Sequence, residues 1–232
     1  MTTSETRSVA VDDGTEVDLY LAHPSGTPRG GLIVLQEIFG VNAHIQDVTR
    51  RLAAEGWLAA APDLFHRQER GFQSGYEDIA PGARFAQATT QAEIRADIRA
   101  TFAELRRMLG GQAKIGAIGF CMGGRQAYVA NGILPLACAI SFYGSNIVGL
   151  PELAATQSGP VLLLWGGRDP MIDAAQRRAV ADMLHAANGP FVEASFDAAS
   201  HGFYCDARSA YHPESAAVAW ALAKAFLDTH LA

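Results

Sequence analysis

The sequence predicts an α/β fold: a mostly parallel sheet that opens with an antiparallel hairpin and carries helices on both faces. Three observations lead there. Continuous apolar runs recur from Gly31 onward, "GLIVLQ", "WLAAAP", "KIGAIGF", "ACAISFYG", "PVLLLWGG" and "FVEASF", as in strands buried on both faces. Helical patterns fall between most of these runs, the alternation that builds a parallel sheet through right-handed crossovers. Ahead of them, "SVAVDDGTEVDLYLAHP" alternates apolar and polar residues on both sides of Asp12-Asp13-Gly14, which is a hairpin pattern.

The elements follow in order. After the hairpin and the run at Gly31, a helix is expected over 44–55, then the strand "WLAAAP". Residues 64–87, "LFHRQERGFQSGYEDIAPGARFAQ", form a long polar stretch punctuated by glycines. A connection of that length inside a compact fold suggests a lid over a site. The clearest helix is "TTQAEIRADIRATFAELRRMLGG", where Ile94, Ile98, Phe102, Leu105 and Leu109 recur every three or four residues and Gly110-Gly111 ends the run. Further helices are expected over 122–131, over 174–187 with Asp173 as N-cap, and over 213–229 with Val218, Leu222 and Phe226 spaced by four. No internal repeat or composition break divides the 232 residues, so one domain is expected.

Composition excludes several classes of function. With 49% hydrophobic and 18% charged residues, the chain can bury a core that offsets its conformational entropy. A formal charge of −6 without a basic stripe repels a phosphate backbone, so no nucleic-acid partner is expected. No apolar run approaches the roughly 18 residues that span a bilayer, and "MTTSETRSVA" lacks the features of a secretion signal; a cytoplasmic protein without membrane contact is the expectation. Three cysteines without CxxC or zinc-ligand spacing call for neither a disulfide framework nor a metal.

The chemistry centres on "AIGFCMGG", Ala117–Gly124. Gly119-x-Cys121-x-Gly123 stands directly after an apolar strand and before a helical pattern, the strand–turn–helix setting of a nucleophile elbow. There the flanking glycines let helix and strand approach closely, and the helix N-terminus favours a thiolate. Cys138, inside a strand-like run, reads as a packing residue. The thiol needs a base, and His201 follows the last strand-like run on a loop at the carboxyl edge of the sheet. His23, His44, His66, His185, His212 and His230 lie in the hairpin, on helices or their ends, or in the 64–87 excursion, where solvated or capping roles are expected; His66 is a second choice for the base. Asp169 closes "PVLLLWGGRD" at a strand end and can orient the imidazole. Nucleophile, acid and histidine then follow in the chain order of elbow hydrolases. Glu37, at the end of "GLIVLQEIFG" among Val34, Leu35, Ile38 and Phe39, is a poorly solvated carboxylate beside the loop that would complete an oxyanion hole.

Together "QEIFG", "GFCMGG", "GGRDP" and "SHGFYCDARSAYHPESAAVAW" resemble the dienelactone hydrolase family of α/β hydrolases, over nearly the whole chain. The resemblance implies nucleophile Cys121, acid Asp169, base His201 and the additional glutamate Glu37, with the backbone N–H groups of Ile38 and Met122 as oxyanion hole. It implies hydrolysis of small lactones or enol esters through a thioacyl intermediate, without cofactor or metal. Family members acting on dienelactone hold its carboxylate with arginines, for which Arg84 and Arg208 are the nearest candidates; Phe39 and Tyr143 are further candidate substrate contacts. Two other classes stand against this: a non-catalytic binding protein that keeps the pocket, and a thiol redox protein with Cys205 as resolving partner. The oligomeric state is left open, a monomer being compatible with all of it.

Overall fold

A computed structural model describes residues 1–231. It comprises two compact units, Met1–Ile115 and the chain from Gly116 onward, which together supply eight strands of a mostly parallel α/β fold.

In the first unit β1 (Thr3–Ala10) and β2 (Glu16–His23) form the expected hairpin, paired from Thr3↔His23 to Ala10↔Glu16. β2 runs antiparallel to β4 (Leu58–Pro62), which pairs in parallel with β3 (Gly31–Leu35). Every residue of β3 and β4 is buried, as their unbroken apolar sequence requires. Helix α1 (Ala43–Ala54) starts at Asn42, whose side chain accepts the Ile45 N–H. The long periodic segment becomes α3 (Gln91–Leu109), opened by a Thr90–Glu93 capping box and closed by Gly110 at φ 80°.

Between β4 and α3 the structure departs from the sequence reading. The excursion contains a helix, α2 (Ala80–Ala88), hidden in sequence by its brevity, its glycine and its lack of an apolar repeat. The excursion also has a small core of its own, where the rings of Phe65, Phe72 and Phe85 meet with centroids 4.7 to 6.0 Å apart. Its entry is fixed by charge. Asp97, on the buried face of α3 and wholly enclosed, takes both terminal nitrogens of Arg67 at 2.8 and 2.9 Å and His66 Nε2 at 3.2 Å. Arg67 also reaches Asp13 in the hairpin turn at 2.6 Å. His66 is thus a structural partner of Asp97 and not a solvated residue or a spare base. Deleting one member of a buried pair strands the other; Asp97→Ala is expected to cost about 3–5 kcal/mol, read as a lower urea midpoint at unchanged slope.

The second unit is entered by β5 (Ile115–Phe120) and continues with β6 (Ala139–Phe142), β7 (Val161–Gly166) and β8 (Phe191–Phe196), all parallel in that spatial order. α4 (Met122–Ile133), α5 (Ala174–Ala186) and α6 (Pro213–His230) lie between or after them. Asp173 caps α5 as expected, through Gln176 N–H at 2.8 Å, and His212 caps α6. Two expectations are corrected. β8 is not buried on both faces but is a half-exposed strand, because it pairs with β7 and ends that order of strands. α6 packs through Ala216, Ala219, Ala223, Phe226 and Leu227 and leaves Val218 and Leu222 exposed; small alanines admit close approach, which the larger side chains would prevent. Among the described residues, no helix is long and apolar enough to cross a membrane.

Candidate active site

Cys121 sits between the last residue of β5 and the first of α4, at φ 54° and ψ −117°. A non-glycine residue in that region carries strain, which persists only where the surroundings enforce it. They do so here. The Cys121 N–H donates to Phe142 O at 3.0 Å, and its carbonyl accepts from Arg125 N–H at 3.3 Å as α4 begins. A Cβ on Gly119 would stand 1.9 Å from the Gly123 carbonyl oxygen, and one on Gly124 would stand 2.7 Å from Phe142 O. The glycines of "GFCMGG" are therefore what permits the elbow. Met122, as the first helical residue, has an N–H without an acceptor inside the helix.

Asp169 and His201 are brought together by a second glycine pair. A Cβ on Gly166 would lie 2.8 Å from Ala199 O, and one on Gly167 2.6 Å from Asp197 Cα, so "GG" lets the loop after β7 lie against the loop after β8. Backbone bonds from Gly167 N–H to Phe196 O and from Arg168 N–H to Ala199 O, at 2.7 and 2.9 Å, lock the two loops. Asp169 is then fully committed: Oδ1 accepts the Met171 N–H at 2.8 Å and Oδ2 accepts His201 Nδ1–H at 2.8 Å. The side chains are 1% and 7% exposed. Such an acid fixes ring orientation and tautomer, leaving Nε2 for chemistry.

His201 Nε2 is enclosed and meets no partner in conventional hydrogen-bond geometry, and Cys121 stands with Asp169 among the groups that raise the imidazole pKa. Burial by itself would lower the imidazole pKa, but the hydrogen bond to Asp169, the influence of Cys121 and the Asp169 charge outweigh it and raise the pKa to about 10 from 6.5. A raised folded-state pKa stabilises fully below the unfolded value and ceases to do so as pH climbs through the folded one. Thermal stability is therefore expected to decline between pH 6.5 and about 10, and His201→Gln should flatten that slope in a calorimetric pH series.

Tyr143 is at φ 39°, fully buried, with its ring edge-on to His201 at 5.1 Å. It packs against the imidazole. Nothing near Tyr143 in the chain announces that contact, because it depends on β6 delivering the residue just past its end to the loop after β8. Tyr204 stacks on Phe120 at 5.5 Å and packs on Phe142 and Trp220, so the aromatic residues after His201 form the floor of the loop. Cys138 and Cys205 are buried thiols, and no disulfide is present among the described residues.

In the first unit Glu37 is wholly buried just past β3, as its apolar neighbours foretold. Phe39 is buried too and meets Tyr76 edge-on at 4.6 Å. His44, expected to be solvated or a cap, is instead enclosed on α1. Of the three excursion arginines, Arg67 and Arg70 are tied to carboxylates, whereas exposed Arg84 lies over the Phe85 ring at 5.2 Å. Arg208, in the second unit, folds its guanidinium over Gly202: a Cβ there would sit 2.5 Å from Nη1. That places it beside the residue following His201.

Strained elbow, parallel strands and acid-bearing loops define an α/β hydrolase. The chain matches the dienelactone hydrolase family over residues 17–231. It is 35% identical over 224 residues to a candidate carboxymethylenebutenolidase of Synechocystis sp., covering 91% of each chain. A similarly described protein of Yersinia pestis is 36% identical over 220 residues, covering 89% of this chain and 81% of that one. The crystal structure of a candidate dienelactone hydrolase from Klebsiella pneumoniae superimposes with a TM-score of 0.90 at 31% identity, covering 98% of this chain and 99% of that one. The chain belongs to the dienelactone hydrolase family, and is a hydrolase of the class that cleaves carboxylic ester and lactone bonds.

Proposed function

We propose that the protein hydrolyses small lactones and activated, enol-type esters with Cys121 as nucleophile, His201 as acid and base, and Asp169 as orienter. The observation that carries this reading is the strained elbow cysteine in the same unit as a buried His201–Asp169 pair, with Cys121 among the groups that raise the His201 pKa. The Cys121 sulfur forms a bond to the carbonyl carbon, and the carbonyl electrons move to oxygen, where the family resemblance assigns the N–H groups of Ile38 and Met122 as donors. Collapse breaks the ester C–O bond, and the departing oxygen takes the proton from His201. The imidazole, now neutral, removes a proton from water; hydroxide adds to the thioester, the C–S bond breaks, and the acid is released with the thiolate restored. Atoms and protons balance with water as the only co-reactant.

Leaving-group chemistry supports the substrate class. Thiolate departs readily from a tetrahedral intermediate, so an unactivated alkyl ester would return thiolate rather than alkoxide. An enolate competes well, and a lactone's enolate stays attached to the acyl group. Glu37, the buried carboxylate just past β3, is proposed to influence where the thiol proton resides before substrate arrives. Arg84 and Arg208 are proposed to hold a substrate carboxylate, since a guanidinium offers a charge-assisted fork.

The test is turnover of a carboxylated enol lactone, an uncharged enol lactone and an aryl ester. Arg208→Ala is expected to raise KM for the carboxylated substrate about 10–100-fold, the value of one charge-assisted contact, and to leave the uncharged pair within about twofold. Equal effects on all three would place the anion elsewhere, and hydrolysis of none by the wild type would overturn the reading.

A further inference from the structure

We infer that the excursion is a fixed clamp on residues 38–42, which makes Gly82 and Tyr76 positioning residues for the Ile38 backbone; the catalytic consequence rests on reading the Ile38 N–H as an oxyanion donor. The contacts are backbone against backbone. A Cβ on Gly82 would lie 2.0 Å from the Ile38 carbonyl oxygen, so that carbonyl is seated directly on the first turn of α2. Gly40, at φ 77°, has its missing Cβ replaced by the Phe72 carbonyl oxygen, 1.9 Å away. Gly40 and Gln73 pair as an antiparallel bridge, and Ser74 N–H donates to Phe39 O at 3.1 Å.

Side chains extend the same grip. Tyr76 packs edge-on against Phe39 and accepts a hydrogen bond from Asn42 Nδ2 at 3.1 Å. Asn42 in turn caps α1 through Oδ1. At the start of the excursion, Leu64 N–H donates to Gln36 Oε1 at 3.1 Å, and the Arg67–Asp97 pair ties the same end to α3. Contact therefore reaches from the residue after β3 to the first turn of α1. A swinging lid slides over side chains, whereas these glycine contacts leave no space in which to slide. The physical role that follows is to hold the turn after β3 in one conformation, because an oxyanion donor works only when its N–H is already aimed at the developing charge.

Amide hydrogen exchange and kinetics on Gly82→Ala and Tyr76→Phe decide it. In the wild type, amides of residues 38–42 and 72–83 should be protected like those of α1. The extra methyl of Gly82→Ala must push Ile38 away: exchange of residues 38–42 should rise about tenfold or more, with β4 unchanged. For an aryl ester kcat should fall about 10–100-fold at unchanged KM, while iodoacetamide still alkylates Cys121 at the wild-type rate. Tyr76→Phe, which keeps the ring and removes the Asn42 bond, should shift both readouts in the same direction by less. Free-loop exchange of 72–83 in the wild type, unaltered exchange in both variants, or faster exchange with unaltered kcat would each overturn the inference. If the wild type hydrolyses no ester, the proposed reaction fails on its own and exchange still decides whether the clamp exists.

Discussion

Cys121→Ala is expected to lower kcat for an activated ester by about 10⁴-fold or more while KM stays near the wild-type value. Truncating the sulfur removes the proposed nucleophile, so the remaining rate should be that of a pocket with donors but no nucleophile. Alanine at φ 54° meets the same backbone strain as cysteine, and Gly119, Gly123 and Gly124 still permit the turn, so the variant should fold. Circular dichroism and a thermal melt check that point, and steady-state kinetics check the rate. A variant that folds and retains full activity would remove Cys121 from the mechanism.

Asp169→Asn is expected to reduce kcat by about 10²–10⁴-fold. The carboxylate accepts from both His201 Nδ1–H and Met171 N–H. An asparagine can keep one acceptor, but its amide would present N–H to one of these donors, or force the imidazole into the opposite tautomer. Its charge is also among the causes that hold His201 up near pKa 10, so the imidazolium should titrate at lower pH in the variant. The pH profile thus separates this role from a simple packing defect: a loss of activity with an unmoved profile would count against orientation and charge as the cause.

Much of the fold could be read from the chain because its signals are local. Unbroken apolar runs need two covered faces, which β3 and β4 have. Asp173, Thr90 with Glu93, and Gly110 occupy cap positions whose hydrogen bonds lie within four residues. The elbow was legible for the same reason, since Gly119 and Gly123 meet across a single turn. Illegible features depend on partners distant in sequence. Nothing around Asp97 announces that Arg67, thirty residues earlier, will neutralise it, and nothing around Tyr143 announces His201. The period of α6 located the helix but not its buried face, because alanines rather than Val218 and Leu222 make the contact. The excursion read as a polar loop because its order comes from three dispersed phenylalanines that meet only in three dimensions and from close backbone contacts of Gly82 with Ile38 and of Phe72 with Gly40.

The central claim is a covalent intermediate on sulfur. Its most direct test is peptide mass spectrometry of the enzyme quenched in acid during turnover of an aryl ester, for the wild type and for His201→Gln. A thioester on Cys121 should add the acyl mass to the peptide that carries "GFCMGG", and it should persist longer in His201→Gln, which lacks the proposed base. Turnover with no adduct on that peptide in either protein, or with the acyl group on another side chain, would contradict the account.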